Sequence, residues 1–172
     1  MNLMKINANA IAGLLIILVS VCFAQPNDLY VSISLVVSEH SRDSNSTKTS
    51  FVIMGRKVIY DETYSGYRSN SRSPIHQEYE FTRQEIDNLK QLIQQRQLLR
   101  SRSFTTPLPD APYTSYELTE VIQWQGARVL IKVLGSQQAL AEADPANRRA
   151  YEDANALLEY VRETVKKKGE AQ

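Results

Sequence analysis

The stretch "YELTEVIQWQGARVLIKVLG", residues 116–135, contains two runs of alternating apolar residues on either side of Gln125-Gly126. Valine, isoleucine and aromatic residues at every second position are the pattern of strands. A two-residue turn containing glycine is the tightest way to join antiparallel neighbours. Such a turn fixes the register: Trp124 faces Ala127, Ile122 faces Val129, Glu120 faces Ile131 and Leu118 faces Val133. One face of the hairpin is then apolar except for Glu120. The other carries Gln123 with Arg128, Thr119 with Lys132 and Val121 with Leu130, which is the composition of a sheet covered on one side only. A carboxylate on an apolar face belongs at a rim, in an ion pair or in a functional site, and the rim is the commonest place.

The cover must come from helices. Upstream, "FTRQEI" gives a helix start: Thr82 as N-cap with Glu85 three residues on is a capping box, and Phe81 with Ile86 occupies the positions of a hydrophobic staple. Ile86, Leu89, Leu92 and Ile93 continue at three and four spacing, with Asp87, Lys90, Gln91, Gln94 and Gln95 on the opposite side. Downstream, Asp144-Pro145 is an N-cap followed by proline at the first helical position. Tyr151, Ala154, Leu158, Val161 and Val165 carry that helix to Lys166-Lys167-Lys168 and Gly169, where cations suit the negative end of the dipole. "SQQALAEA", 136–143, is read as a short helix before it.

Towards the N-terminus, "LYVSISLVV", 29–37, alternates as a strand with one wet face. Residues 39–49 are hydroxyl-rich and charged and are expected as an exposed loop. "SFVIMGRKVIYDETY", 50–64, is either a hairpin at Gly55 or one long strand with a bulge there. Residues 65–76 and 100–115 are rich in serine, arginine and proline and are expected as further exposed loops, with "QEYEF" a brief extended lead into the first helix. The predicted order is β-β-(β)-α-β-β-α. This is an α+β fold with an antiparallel sheet of about four to five strands and two main helices on one face.

Residues 10–24 form an uninterrupted apolar run of 15 residues preceded by one charge, Lys5. A helix needs about 20 such residues to cross a bilayer. Cys22 and Ala24 fit the small-residue pattern of a cleavage site, so residues 1–24 read as a signal peptide cleaved after Ala24 and residues 25–172 as one domain. The alternatives are an uncleaved membrane anchor, or a lipoprotein signal, which the bulky Val21 before Cys22 disfavours. Cleavage removes Lys5 from the 20 basic residues, against 19 acidic ones, and leaves 148 residues. A formally neutral domain lacks the basic excess that nucleic acid or an anionic bilayer selects. It would also lose its only cysteine, so the domain is disulfide-free; at about this length an ordinary core suffices.

Little in the chain suggests catalysis. The two histidines, His40 and His76, lie in polar segments, no G-x-S-x-G frames a serine, and His40 with Asp43 and a nearby serine is only a paper triad. Two histidines without spaced cysteines make no zinc set, the carboxylates of 61–62 and 142–144 lack a calcium loop, and six scattered glycines make no phosphate loop. No metal or cofactor is therefore expected, and no catalytic residue is assigned. Arg96, Arg100 and Arg102 follow the first helix and are expected to serve its C-terminal end. The candidate partner-binding residues are Arg68 and Arg72, in a loop with no helix end to serve, and Trp124 with Arg128 near the hairpin tip.

The order of sheet, T-x-x-E helix, proline-rich loop, Y-x-L strand, Q-G turn, V-x-I-x-V strand and helix is similar to small exported bacterial domains of unknown function. It also loosely resembles emfourin-type inhibitors of thermolysin-like metalloproteases. Those inhibitors have a glycine-rich start that this chain lacks, and this chain has long polar loops that they lack, so no inhibitory residue is carried over. The resemblance implies a binding function. The expectation is an exported, secreted or periplasmic, non-enzymatic module that binds a protein partner, such as a protease, through its loops or an open strand edge. An envelope structural or lipid-associated domain held by residues 1–24 is the alternative, and a small hydrolase is the third reading.

Overall fold

The computed structural model describes residues 28–41, 44–66, 72–106, 108, 112–136, 139 and 143–171. The signal segment with Ala24, Arg68 and most of the short helix expected at 136–143 lie outside them. Among the described residues, seven strands and two helices follow one another: β1 Tyr30–His40, β2 Asn45–Met54, β3 Lys57–Gly66, β4 Ile75–Glu80, α1 Arg83–Gln95, β5 Arg102–Thr105, β6 Tyr113–Trp124, β7 Ala127–Ser136 and α2 Pro145–Glu170. The strands form one mixed sheet in the order β4-β3-β2-β1-β6-β7-β5, antiparallel except that β5 runs parallel to β7. The fold is α+β as expected, with more strands than the four or five predicted.

The hairpin register holds at every predicted pair. Gln125 and Gly126 both adopt positive φ, 52° and 77°, as a two-residue turn matched to strand twist requires. The open choice at Gly55 resolves as a hairpin, with Met54 paired to Lys57. β1 pairs with both β2 and β6, so its inward residues lie at the centre of the core. The ladders set side chains in rows across the sheet. One row runs Gln77, Tyr60, Phe51, Ile33, Glu120, Ile131, and the next runs Ile75, Glu62, Thr49, Leu35, Leu118, Val133. A third runs Tyr64, Thr47, Val37, Tyr116, Gly135.

Both helices lie over this face. The capping box at Thr82 and Glu85 forms in full, and Phe81 and Ile86 are buried with Leu89 and Ile93. α2 begins at Asp144, which accepts from the N–H groups of Ala146 and Asn147. It buries Ala154, Leu157, Leu158, Val161 and Val165 against the sheet and α1. Complete burial of an aliphatic side chain contributes about 1.5–3 kcal/mol, so this single layer dominates the stability. The helices are antiparallel and tied at both ends. Lys168 of α2 pairs with Glu85 at 3.0 Å and Tyr160 donates to the Glu85 carbonyl at 2.7 Å, while Asp153 receives Arg96 from beyond the far end of α1. Partial burial pushes the Glu85 carboxyl up, but Thr82 and Lys168 outweigh it and hold the group below its ordinary value.

Two segments depart from expectation, and a third, extended as expected, joins the sheet. Residues 39–49 are mostly strand: the β1–β2 ladder runs on through Ser38 with Ser46 to Glu39 with Asn45. Cross-strand hydroxyl pairs and threonine's strand preference stabilise such a ladder without apolar residues, and periodicity cannot register it. "QEYEF" is largely β4, an edge strand whose Tyr79 alone is buried. Within 100–115 lies β5, four residues with one buried apolar side chain, Phe104; it exists because β7 offers a parallel partner distant in sequence.

The polar end of the β2–β3 ladder depends on Gly66. It has φ +107°, and a Cβ there would lie 2.1 Å from the Ser44 carbonyl oxygen. Gly66→Ala is expected to cost roughly 2 kcal/mol, from a disfavoured backbone region plus the clash. Urea denaturation will show the loss, and amide exchange will show it concentrated at Asn45–Thr47 with Ser65.

Candidate functional site

Part of the covered face stays open along one flank of α2. Two depressions, about 430 and 350 Å3, follow that flank and share Arg162. The first lies between the C-terminal half of α2 and Phe51, Tyr60, Glu62, Gln77 and Tyr79. The second lies between its N-terminal half and Leu35, Val37, Tyr116, Leu118 and Val133. Val37 continues into a smaller hollow with Thr47, Tyr64 and Arg72. The helix supplies Tyr151, Asn155, Leu158, Glu159, Arg162, Val165, Lys166 and Gly169, which recur at three and four spacing as one ridge.

Glu62 organises the sheet side of this groove. Its carboxylate accepts from the Tyr60 hydroxyl at 2.7 Å through Oε2 and from the Tyr64 hydroxyl through Oε1. Burial first, and then Glu62, pushes the Tyr60 phenol well up. The Glu62 hydrogen bond is the main cause that raises Tyr64. Both phenols therefore remain protonated donors through neutral pH. The Tyr60 ring stacks on Phe51 at 5.2 Å, and the Arg72 guanidinium lies 5.2 Å over the Tyr64 ring. Across the groove Arg162 pairs with Glu159 at 2.8 Å, while Lys166 has no hydrogen bond or ion pair among the described residues. The surface is thus aromatic and fixed by hydrogen bonds, with Arg72, Arg162 and Lys166 balanced by Glu39, Glu62 and Glu159.

Of the residues singled out from the sequence, Arg72 belongs to this groove through Tyr64. Trp124 is 7% exposed and sits in the core where its register puts it, so its ring offers no anchor to a partner. Arg128 is exposed on the opposite face, and the structure does not bring it together with Arg72. Arg96 and Arg102 serve α2 more than the helix they follow. Both reach Asp153, at 3.2 and 3.4 Å, and only Arg102 also donates to a carbonyl near the α1 end, that of Gln97.

Glu120 is neither at a rim nor paired. It is completely buried between Ile33 and Ile131, both carboxyl oxygens lack a partner among the described residues, and burial pushes the group well above the usual carboxylate range. The histidines form two separate pairs. His40 stacks on Tyr113 at 4.4 Å with its Nε2 2.9 Å from the buried Ser115 hydroxyl, and His76 Nδ1 lies 2.5 Å from Asp61. These pairs occupy different strands of the uncovered face, and Asp43 lies outside the described residues. Among the described residues no three His, Cys, Asp or Glu side chains gather as a metal set, and no helix is long and apolar enough to cross a membrane.

The sequence shows Tyr60, Tyr64 and Tyr116 as residues of extended segments and Tyr151 as a helix residue; what joins them is the packing of α2 on the sheet, which no local pattern encodes. The chain matches no protein-family model and no curated protein.

Proposed function

We propose that this is an exported, non-enzymatic protein-binding module that seats an extended segment of its partner in the groove along α2. The observation that carries the reading is the continuous ridge-and-row lining by Tyr60, Tyr64, Tyr116, Tyr151 and Arg162. Tyrosine and arginine are the side chains that supply large contact area and directed hydrogen bonds at binding hot spots. The ridge from Tyr151 to Gly169 is about 27 Å long at 1.5 Å per residue, room for about eight residues of extended chain. Lys166, which has no ion pair among the described residues, favours an acidic side chain opposite it in that segment.

The sheet edges fit a partner less well. β4 and β5 have six and four residues. β4 carries Glu78 and Glu80, paired with Lys57 and Arg56 at 2.9 and 3.1 Å. Short, charged edges are how proteins discourage strand addition. The similarity of element order to metalloprotease inhibitors makes a protease the first partner class to try.

The test is comparative capture from the envelope fraction of the exporting cell, with the wild-type chain, Arg162→Glu and the uncovered-face variant Leu130→Ala as baits. A discrete partner retained by wild type and Leu130→Ala, but lost by Arg162→Glu, supports the groove. Equal capture by all three baits, or by none, counts against it.

A further inference from the structure

A second concave surface lies beside the first turns of α2, separate from the groove. It is a cleft of about 840 Å3 where the end of α1, β5 and the start of α2 meet, and Arg96, Arg102 and Arg149 line it with Asp153. Three guanidinium groups thus line a cleft that holds one carboxylate. Asp153 is almost wholly buried and binds two of them end-on, Oδ1 to Arg96 Nη1 at 3.2 Å and Oδ2 to Arg102 Nη1 at 3.4 Å. Arg102 is held further by its Nη2 bond to the Gln97 carbonyl at 3.0 Å. Arg149, one helical turn before Asp153, has no hydrogen bond or ion pair among the described residues.

An inter-element clamp needs one arginine for this aspartate. The second and third add like-charge repulsion that a clamp alone does not explain, and they leave a local excess of about two positive charges. The donors of Arg96 not used on Asp153, and all those of Arg149, remain for a ligand. Asp153 meanwhile fixes two of the guanidinium planes before any ligand arrives. Ala146, in the first turn of α2, lines the same cleft; the Ala146 and Asn147 N–H groups are already taken by Asp144, so the arginines and not the helix end make the site.

We infer that this cleft binds a phosphate group, held by Arg96, Arg102 and Arg149. A phosphate dianion matches the charge excess, and its oxygens accept the paired N–H groups of more than one guanidinium, which a single carboxylate does less completely. The phosphate belongs either to a small soluble ligand or to a lipid headgroup.

Two arms of one experiment separate those sources. The full chain is titrated with inorganic phosphate by calorimetry at constant ionic strength, and with phosphatidylcholine vesicles with and without phosphatidic acid by flotation. Saturable binding of inorganic phosphate, weakened about tenfold in Arg149→Ala with thermal stability unchanged without ligand, supports a soluble ligand. Flotation only with phosphatidic acid, again lost in Arg149→Ala, supports the same site with a headgroup. Arg149→Lys recovers part of the affinity in either case, since it restores charge without the fork. No saturable binding in either arm, or binding that Arg149→Ala leaves unchanged, overturns the assignment. The groove reading is independent of this result.

Discussion

Replacing Glu120 with leucine raises the stability of the protein at pH 7 by about 3 kcal/mol, a melting shift of roughly 10 °C. The side chain has no exposed surface, stands between Ile33 and Ile131, and has no partner among the described residues for either carboxyl oxygen. A buried carboxyl of this kind costs stability in both protonation states: as an acid through its unmatched O–H and C=O, and as an anion through lost hydration. Leucine is close in size and suits a strand position flanked by isoleucine, so little repacking cost offsets the gain.

The pH dependence identifies the cause. Burial raises the folded-state pKa above the ordinary value of 4.5. Above pH 4.5 the unfolded chain releases this proton while the folded chain keeps it, so unfolding gains with rising pH. The contribution of Glu120 is most favourable below pH 4.5 and is lost at about 1.4 kcal/mol per pH unit up to the folded-state pKa. Wild type minus Glu120→Leu, measured by urea denaturation from pH 4 to 8, is expected to fall with that slope. Glu120→Gln, which cannot ionise, removes the slope. A Glu120→Leu protein less stable than wild type at pH 7 would show that the carboxyl has a partner that stabilises it.

Arg162→Glu and Tyr64→Ala each weaken partner binding by about thirtyfold or more, the effect of losing a hot-spot residue of about 2 kcal/mol. Their effects on folding are expected to be small. The Arg162–Glu159 pair is half-exposed and at i,i+3 spacing, a contribution of about 0.2–0.5 kcal/mol. Tyr64 lies in the polar end of the sheet rather than among the core residues. Arg162→Glu acts doubly, since it removes the residue common to both depressions and sets a second acid beside Glu159. An affinity loss with unchanged melting therefore reports on the surface, whereas a fall in both would assign these residues to folding.

Much of this architecture could be read from residues 116–135 and the two helix starts, because there local chemistry and tertiary structure agree. Gln125-Gly126 dictates a turn, the turn dictates a register, and Thr82 with Glu85 dictates a boundary whatever surrounds it. The strands that escaped notice are those whose reason for being extended lies elsewhere in the chain. β5 needs β7, and residues 45–49 need residues 35–39 opposite them, since their own hydroxyl-rich sequence has no apolar period to betray them. Asp153 joins arginines more than 50 residues away, so its role had no local sign. Glu120 was legible as an anomaly; its complete burial was not, because the register gives a face and not the depth of the helices above it.

A photo-crosslinking phenylalanine, placed at single positions of the full chain in the cell that produces it, shows directly whether a partner occupies the groove. At Tyr64 and Tyr116 it is expected to yield adducts to one and the same partner, and at Leu130, 41% exposed on the uncovered face, none. Adducts to that partner from Leu130 or from Ser103 on the β5 edge, with none from Tyr64 or Tyr116, would place the partner elsewhere on the sheet.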